Sequence, residues 1–202
     1  MGWENALPWW GVAFAIGYLC GSIAFGTLIA RTFGLGDLRQ IGSGNIGATN
    51  VLRTGSKAAA ALTLVADMAK GFLPVWYFLG WGDLSGQIAG IGAVIGHCLP
   101  VWLWFRGGKG VATFLGVMLG LSLTAGALVC ATWLAAAALF RISSLSALIA
   151  AASAPVWLWA LDGPRAVLCA ACLAVFVCAR HHQNIGRLLR GSEPRIGGDK
   201  RL

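Results

Sequence analysis

Residues 42–53 read Gly-Ser-Gly-Asn-Ile-Gly-Ala-Thr-Asn-Val-Leu-Arg, a polar and glycine-rich stretch that lies between two long apolar segments. Its glycines allow the backbone to turn so that several N–H groups face one point, which is an arrangement that binds anions. The guanidinium of Arg53 adds a planar cation suited to phosphate oxygens. We interpret the stretch as an anion-binding loop between two spans, and an ordinary flexible loop is the alternative. Its side-chain donors are Ser43, Asn45, Thr49, Asn50 and Arg53.

Composition places this loop in a membrane protein. Of the 202 residues, 58% are hydrophobic and only 11% are charged, whereas soluble domains carry about 25% charged residues. We therefore expect an all-α integral membrane protein with one polytopic domain over residues 1–202. The net charge of +8 would suggest nucleic acid for a soluble protein, but here it indicates basic loops beside anionic lipid.

Apolar segments and basic residues together predict the topology. The charge-free run 111–140 is long enough for one tilted span or two short ones. Two crossings there put the basic tail on the same side as both glycine-rich loops, as the positive-inside rule favours. The prediction is a seven-helix bundle with its N-terminus outside and its C-terminus cytoplasmic. Its spans cover residues 8–30, 58–79, 87–105, two within 111–140, 144–161, and a last one ending near 179.

Three ionisable residues fall inside predicted spans, where charge is costly and a paired or functional role is usual. Asp67 and Lys70 have helical i, i+3 spacing and can pair. They are a structural ion pair or part of a substrate site. His97 lies three residues before Pro100. Because proline has no N–H, a carbonyl of the preceding helical turn loses its partner, and such a carbonyl needs polar surroundings. We expect His97 to face a polar pocket, with a buried, hydrogen-bonded histidine as the alternative.

A second glycine-rich turn, residues 105–113, reads Phe-Arg-Gly-Gly-Lys-Gly-Val-Ala-Thr and opens an apolar helix. Backbone N–H groups at a helix start attract anions, and Lys109 adds a point charge. In the tail, His181 and Asn184 have i, i+3 spacing and share a helical face. The alternatives are a positive-inside anchor for the turn and a basic amphipathic surface helix for the tail.

The two loops and the tail converge on one side of the membrane by the charge argument. Together they predict a phosphate-binding site at the cytoplasmic face, and phosphate beside lipid suggests phospholipid chemistry. A membrane transporter for phosphate or an organophosphate is the alternative function. Such a transporter is expected to show an inverted repeat with broken helices at the midplane, and the sequence shows no such repeat.

The chain also resembles a known family, the bacterial acyl-phosphate:glycerol-3-phosphate acyltransferases. The resemblance covers nearly the whole chain and is strongest in residues 42–53, 67–71, 96–113 and 181–193. It implies a seven-helix bundle in the bacterial inner membrane that transfers a fatty acyl group from acyl phosphate to the 1-hydroxyl of glycerol 3-phosphate. The products are lysophosphatidate and phosphate, in the first acylation step of phospholipid synthesis.

Carried over residue by residue, the resemblance also implies the site. The expected catalytic residues are His97, Lys109, Arg53 and Asn184. The expected substrate-binding residues are Ser43, Gly44, Asn45, Gly47, Thr49, Asn50, Arg53, Gly107, Gly108, Lys109, His181 and Asn184. Ser22 matches a serine in the family's first span. Departures at His182, Gln183, Gly186 and Arg106 put the substrate affinity of the tail in question, but not the activity.

We expect no cofactor, no metal, no nucleic acid and no obligate protein partner. The expected partners are the two substrates and membrane lipid. A groove between spans is expected to hold the acyl chain, and the glycerol hydroxyl is expected to attack the acyl carbonyl directly without an acyl-enzyme.

Overall fold

Apolar segments separated by glycine-rich and basic turns fold into helices packed side by side. The computed structural model describes residues 3–197, with side chains from Leu7 onward, and all regular structure in that range is helical. Three short 3-10 turns lie at Leu38–Gln40, Val101–Leu103 and Gly163–Ala166. The α-helices are α1 (Trp3–Gly21), α2 (Phe25–Thr32), α3 (Ala48–Leu52), α4 (Lys57–Leu79), α5 (Asp83–Cys98), α6 (Val111–Leu121), α7 (Leu123–Phe140), α8 (Ser143–Asp162), α9 (Val167–Arg180) and α10 (His182–Leu189).

Several helical stretches are suited to a membrane. By length and composition, five stretches in the described range could cross one: Leu7–Thr32, Lys57–Leu79, Asp83–Leu103, Leu123–Phe140 and Ser143–Arg180. The last contains α8 and α9, and the apolar α6 is shorter than the others. The all-α membrane fold is therefore as expected, while seven crossings and the orientation of the termini stay predictions.

The first span differs from the continuous helix expected over residues 8–30. It breaks between α1 and α2, at residues 22–24, which frees backbone carbonyls inside an apolar region. Two distant donors satisfy them. The ammonium of Lys70 donates to the carbonyl of Ile23 (2.6 Å), and the indole of Trp102 donates to that of Ser22 (2.6 Å). Such irregular backbone at membrane depth is tolerated only where protein surrounds it.

Helix α5 ends at Cys98, short of the expected boundary at residue 105, because Pro100 cannot continue the hydrogen-bond ladder. The second glycine-rich turn then closes this helix end. Its Gly107 N–H donates to the Cys98 carbonyl, and its Gly108 N–H donates to the His97 carbonyl (both 3.1 Å). The turn is thus fixed to the end of α5.

Small residues allow α1 and α5 to approach closely. A Cβ atom at Gly17 would lie 2.1 Å from the carbonyl oxygen of Ala89, and one at Gly21 would lie 2.0 Å from that of Ala93. No side chain fits at either glycine without separating the two helices.

The charge-free run 111–140 forms two helices, which is the arrangement that two crossings require. Its break at Ser122 is capped, because the Ser122 hydroxyl accepts from the Ala125 N–H (3.2 Å). Helices α4 to α6 and α7 to α9 share the main apolar core, which contains Val75, Phe114, Met118, Leu158 and Leu173.

Candidate functional site

Both glycine-rich loops, the ends of several helices and α10 surround one cavity of about 760 Å³. Ten of the expected site residues line it: Ser43, Asn45, Gly47, Thr49, Asn50, Arg53, His97, Lys109, His181 and Asn184. Three do not, namely Gly44, Gly107 and Gly108. The cavity therefore brings together side chains from the two loops and the tail.

One side of the cavity is apolar and opens on the flank of the bundle. Its wall comes from α4, α6, α7 and α8. Leu64 and Leu134 line it although 40% and 62% of their surfaces are exposed, so the wall continues onto the outer, lipid-suited surface between α4 and α7. The apolar residues of this wall include Ala60, Ala61, Leu64, Met68, Leu115, Cys130, Trp133, Leu134 and Ala147.

The first glycine-rich loop is organised around Asn50, whose surface is only 1% exposed. Its Nδ2 donates to the carbonyls of Leu38 (2.8 Å) and Ile41 (3.0 Å), while its Oδ1 accepts from the Ser43 N–H (3.1 Å). Nη1 of Arg53 also reaches Oδ1 (3.4 Å). Asn50 thus holds the loop, and the guanidinium of Arg53 lines the cavity.

Part of the backbone nest expected in this loop is used by the loop itself. The Gly44 N–H donates to the carbonyl of Ile41 (2.9 Å), and the Ile46 N–H donates to Oδ1 of Asn45 (3.0 Å). The Ser43 N–H is taken by Asn50. These three N–H groups satisfy the tight turn itself, because buried polar groups need partners, so the loop keeps fewer N–H groups for an anion beside Arg53.

The second glycine-rich turn also contributes through a cation and a helix start. Its Gly107 and Gly108 N–H groups are bonded to α5. A Cβ at Gly108 would meet Nε2 of His97 at 2.2 Å, so this position is restricted by packing. Lys109 lines the cavity together with Val111 and Ala112, the first residues of α6. The N-terminal end of that helix favours anions.

Asp67, Lys70 and His97 form a buried group, with exposed fractions of 2%, 5% and 5%. Nζ of Lys70 lies 2.6 Å from Oδ1 of Asp67, and Nδ1 of His97 lies 3.7 Å from the same oxygen. The Thr113 hydroxyl lies 3.2 Å from Nδ1 of His97. Asp67 and His97 line the cavity, whereas Lys70 is outside the lining and faces Ile23. The pair therefore joins the site to the break in the first span.

In the tail, His181 and Asn184 are buried, with 2% and 3% of their surfaces exposed. Nδ1 of His181 lies 2.8 Å from the carbonyl of Val177. Nδ2 of Asn184 donates to the carboxylate of Glu193, which also accepts from the Ser144 hydroxyl (2.6 Å) and from Nε of Arg187 (2.6 Å).

Sequence reasoning did not single out four polar residues of this lining: Ser143, Ser144, Arg187 and Glu193. Arg187 and Glu193 are six residues apart, which is not a helical spacing, and the chain turns back at Gly191 (φ 67°) to bring them together. The turn-forming Gly191 after α10 was the available signal.

Burial and neighbouring charges shift the pKa values of three groups that lie outside the spans. Burial, assisted by nearby Arg187 and Arg53, lowers the pKa of Lys109 to about 8. Burial also lowers the pKa of His181, although its bond to Val177 opposes this. For Glu193, burial acts to raise the pKa, but hydrogen bonds from Ser144, Asn184 and Arg187 hold it below its usual value. At pH 7 the site thus has a charged Lys109, a neutral His181 and an ionised Glu193.

Comparison with known proteins assigns the family. A family model described as glycerol-3-phosphate acyltransferase matches residues 11–191. The chain belongs to this family. Relatives named glycerol-3-phosphate acyltransferase occur in Ruegeria sp. (strain TM1040), 56% identical over 96% of both chains, and in Maricaulis maris (strain MCS10), 56% identical over 93% of this chain and 88% of that one.

Two similar solved structures are crystal structures of PlsY, an integral membrane glycerol 3-phosphate acyltransferase. Its glycerol 3-phosphate form has a TM-score of 0.86 and 36% identity, and its lysophosphatidic acid form has a TM-score of 0.83 and 34% identity. Each comparison covers 92% of this chain and 94% of the other. The resemblance found in the motifs is confirmed. The protein is a multi-pass membrane acyltransferase, and the transporter alternative is set aside.

Proposed function

We propose that this acyltransferase moves a fatty acyl group from acyl phosphate to the 1-hydroxyl of glycerol 3-phosphate, giving lysophosphatidate and phosphate. The observation that carries the proposal is the two-sided cavity. Arg53 and Lys109 line its polar side, while Leu64, Leu134 and other apolar residues line a wall that opens on the flank. A soluble anion and a lipid chain can therefore meet in one space.

The charges of the cavity favour a donor that carries a phosphate group of its own. Among the residues that the structure describes, four basic ones line it, Arg53, Lys57, Lys109 and Arg187, against two acidic ones, Asp67 and Glu193. Asp67 is paired with Lys70, which lies outside the lining. Such an excess of cations suits two phosphate groups, one on each substrate.

The reaction balances without an acyl-enzyme. The glycerol hydroxyl attacks the acyl carbonyl, the new ester bond forms, and the bond from carbonyl carbon to phosphate oxygen breaks. The hydroxyl proton ends on the departing phosphate, which leaves as hydrogen phosphate. Arg53 and Lys109 would stabilise the charge that develops on this group, while the cavity holds the two reactants together.

We place this site at the cytoplasmic face of a bacterial inner membrane. The support is the clustering of basic residues around both glycine-rich loops and the tail, together with the positive-inside rule. Soluble glycerol 3-phosphate would enter from the cytoplasm, and the acyl donor would enter from the lipid.

The test is acyl transfer by purified protein in lipid vesicles. Given glycerol 3-phosphate and acyl phosphate without coenzyme A, wild-type protein should form lysophosphatidate and release phosphate in equal amounts. The matched control variant is Arg31→Ala, since Arg31 is an exposed cation outside the cavity, and it should retain activity. Turnover only with an acyl thioester would contradict the proposed donor.

The absence of an acyl-enzyme has its own test. Of the six cysteines, Cys130 lines the cavity, whereas Cys98, beside His97 in sequence, is completely buried outside the lining. A variant with all six cysteines changed to alanine or serine should remain active, with a loss of a few-fold from repacking. An acyl group trapped on Cys130 at a rate matching turnover would overturn direct attack.

A further inference from the structure

The connection between α5 and the second glycine-rich turn exposes large apolar side chains. Residues 101–106, called here the aromatic loop, read Val-Trp-Leu-Trp-Phe-Arg. Trp104 is 86% exposed and Phe105 is 56% exposed. Both have positive φ angles, 52° and 59°, in a left-handed conformation that bulky residues rarely adopt. Such backbone outliers persist only where surrounding contacts hold them, and they are frequent at functional sites.

Hydrogen bonds hold the aromatic loop in this shape. Every backbone N–H from residue 103 to residue 108 donates within the loop or to the end of α5, and that of Trp104 donates to the carbonyl of Val101 (3.1 Å). The indole N–H of Trp102 donates to the carbonyl of Ser22 (2.6 Å), which fixes the loop to the break in the first span. A well-bonded backbone therefore presents the Trp104 side chain at the surface.

The aromatic loop follows the end of a helix that is suited to a membrane. Helix α5 has 16 residues, so it is about 24 Å long, against about 30 Å for the hydrocarbon core of a bilayer. The loop is therefore expected near the boundary between hydrocarbon and headgroups. Tryptophan is enriched at this boundary, because its ring is apolar and its N–H is polar.

Two exposed arginines accompany the aromatic loop. Nη2 of Arg39 donates to the backbone carbonyl of Arg106 (3.0 Å). Neither guanidinium forms an ion pair with any residue that the structure describes. Asp37, close in sequence, accepts from the backbone N–H of Arg39 (2.9 Å). Arg39 and Arg106, called here the arginine pair, also lie outside the lining of the cavity.

The arginine pair and the aromatic loop together match one class of ligand, an anionic phospholipid. A guanidinium binds phosphate oxygens well, and basic residues at a membrane surface are attracted to anionic lipid. A soluble anion would use the arginines but leave the apolar side chains in water. A zwitterionic lipid adds an ammonium group that the arginines repel.

We propose that the arginine pair and the aromatic loop form a surface site for an anionic phospholipid, separate from the catalytic cavity. The headgroup phosphate binds Arg39 and Arg106, while Trp104 and Phe105 lie at the boundary of the hydrocarbon. This site does not depend on the identity of the acyl donor, so it can be tested apart from the proposed function.

A lipid at this site would connect the two glycine-rich loops. Arg39 follows Leu38, whose carbonyl accepts from Nδ2 of Asn50 at the centre of the first loop (2.8 Å). Arg106 precedes Gly107, whose N–H is bonded to the end of α5. A phosphate held by both arginines therefore bridges the backbone segments that lead into the two loops of the cavity.

The test measures lipid binding by native mass spectrometry on the purified full-length protein in detergent. The protein is titrated with phosphatidylglycerol or with phosphatidylcholine of the same acyl chains. Wild-type protein should bind the first phosphatidylglycerol at least about tenfold more tightly, since each arginine contributes a factor of about five. Equal affinities for the two lipids would overturn the proposal.

The variant Arg106→Gln removes one guanidinium but keeps the backbone carbonyl that Arg39 binds. It should weaken binding of phosphatidylglycerol about fivefold and leave binding of phosphatidylcholine unchanged, and Arg39→Gln should do the same. The matched control is Arg31→Gln, which removes an equal charge at an exposed position and should retain the wild-type preference. An equal loss in Arg31→Gln would show diffuse attraction by surface charge and contradict a defined site.

A second measurement locates the aromatic loop. In a cysteine-free background, a nitroxide attached to Trp104→Cys in phosphatidylglycerol vesicles should collide more with oxygen, which concentrates in hydrocarbon, than with a water-soluble nickel complex. The same label on Ser192→Cys, an exposed position of the tail, should favour the nickel complex. A label at position 104 that behaves like the one at 192 would place the loop in water, as for a surface that docks another protein, and would overturn the lipid site.

Discussion

Arg53 and Lys109 are separated by 56 positions in the chain, yet both line one cavity. They differ in how they are held. Arg53 contacts Asn50 at the centre of its loop, whereas Lys109 follows two glycines that are bonded to the end of α5. Each cation is thus held at the cavity by the loop that contains it.

Removing either cation should reduce the stabilisation of the transition state. We expect Arg53→Ala and Lys109→Ala each to lose about 1.5–3 kcal/mol, or tens to hundreds of fold in kcat/KM for glycerol 3-phosphate. Arg53→Lys should restore activity only in part, because a point charge cannot replace a two-pronged guanidinium. Steady-state kinetics measures these values, and normal kinetics in both correctly folded alanine variants would refute the anion site.

Lys109 should also give the enzyme a pH limit. Its pKa of about 8 means that its positive charge is present below pH 8 and is lost as the pH rises through that value. The substrate phosphate is already doubly ionised above pH of about 6. We expect kcat/KM for glycerol 3-phosphate to fall above pH 8, since this parameter reports the free enzyme.

The variant Lys109→Arg provides the control for this pH dependence, because arginine keeps its charge over the whole range. Its kcat/KM should decline at distinctly higher pH, whatever its absolute activity. An unchanged decline above pH 8 in Lys109→Arg would show that another group titrates.

At the scale of the helices, the break between α1 and α2 is the feature that connects the bundle to the site. Gly26 of α2 lies under the first loop, where a Cβ atom would meet the carbonyl oxygen of Ile46 at 1.8 Å. The same break receives the hydrogen bond from Lys70, whose partner Asp67 lines the cavity. Helix α2 therefore sets the position of the loop that contains Arg53.

This linkage predicts a pattern of stabilities. Lys70→Met should destabilise the protein by about 3–5 kcal/mol, because it leaves the Asp67 carboxylate buried and unpaired. The double variant Asp67→Asn, Lys70→Met should recover much of the loss, since no charge then remains unpaired. Thermal unfolding in detergent measures both. A double variant no more stable than Lys70→Met alone would show that the ion pair is not the cause.

For the whole molecule, we expect an orientation in the membrane with the N-terminus outside and the C-terminus in the cytoplasm. In a cysteine-free background, single cysteines at Asp83 and Arg165 should react with an impermeant reagent from outside. Cysteines at Gln40 and Ser192 should react only after the cytoplasmic side is opened. All four positions are exposed. Labelling of the Ser192 position from outside would contradict seven crossings and a cytoplasmic site.

The sequence was sufficient to find the loops that meet at the cavity, because glycine, a basic residue and amide side chains stand out against apolar surroundings. The i, i+3 spacings also placed Asp67 beside Lys70 and put His181 and Asn184 on one face. Helical period and residue type determine such local relations.

Relations across long sequence distances were not predictable. The first span breaks where Lys70, 47 residues from Ile23, and Trp102, 80 residues from Ser22, supply donors. Glu193 reaches Asn184 through a turn, and three N–H groups of the expected nest are taken within the loop. Each of these results depends on tertiary packing, which a pattern of residues does not encode locally.

The flank opening between α4 and α7, where Leu64 and Leu134 are both cavity wall and outer surface, affects how the enzyme experiences concentration. A donor that enters from the bilayer reaches the opening by lateral diffusion. Its mole fraction in the bilayer, and not its amount per volume of water, therefore sets the rate of capture. Adding inert phospholipid at a fixed total of donor would slow the enzyme, whereas glycerol 3-phosphate would still obey ordinary solution kinetics.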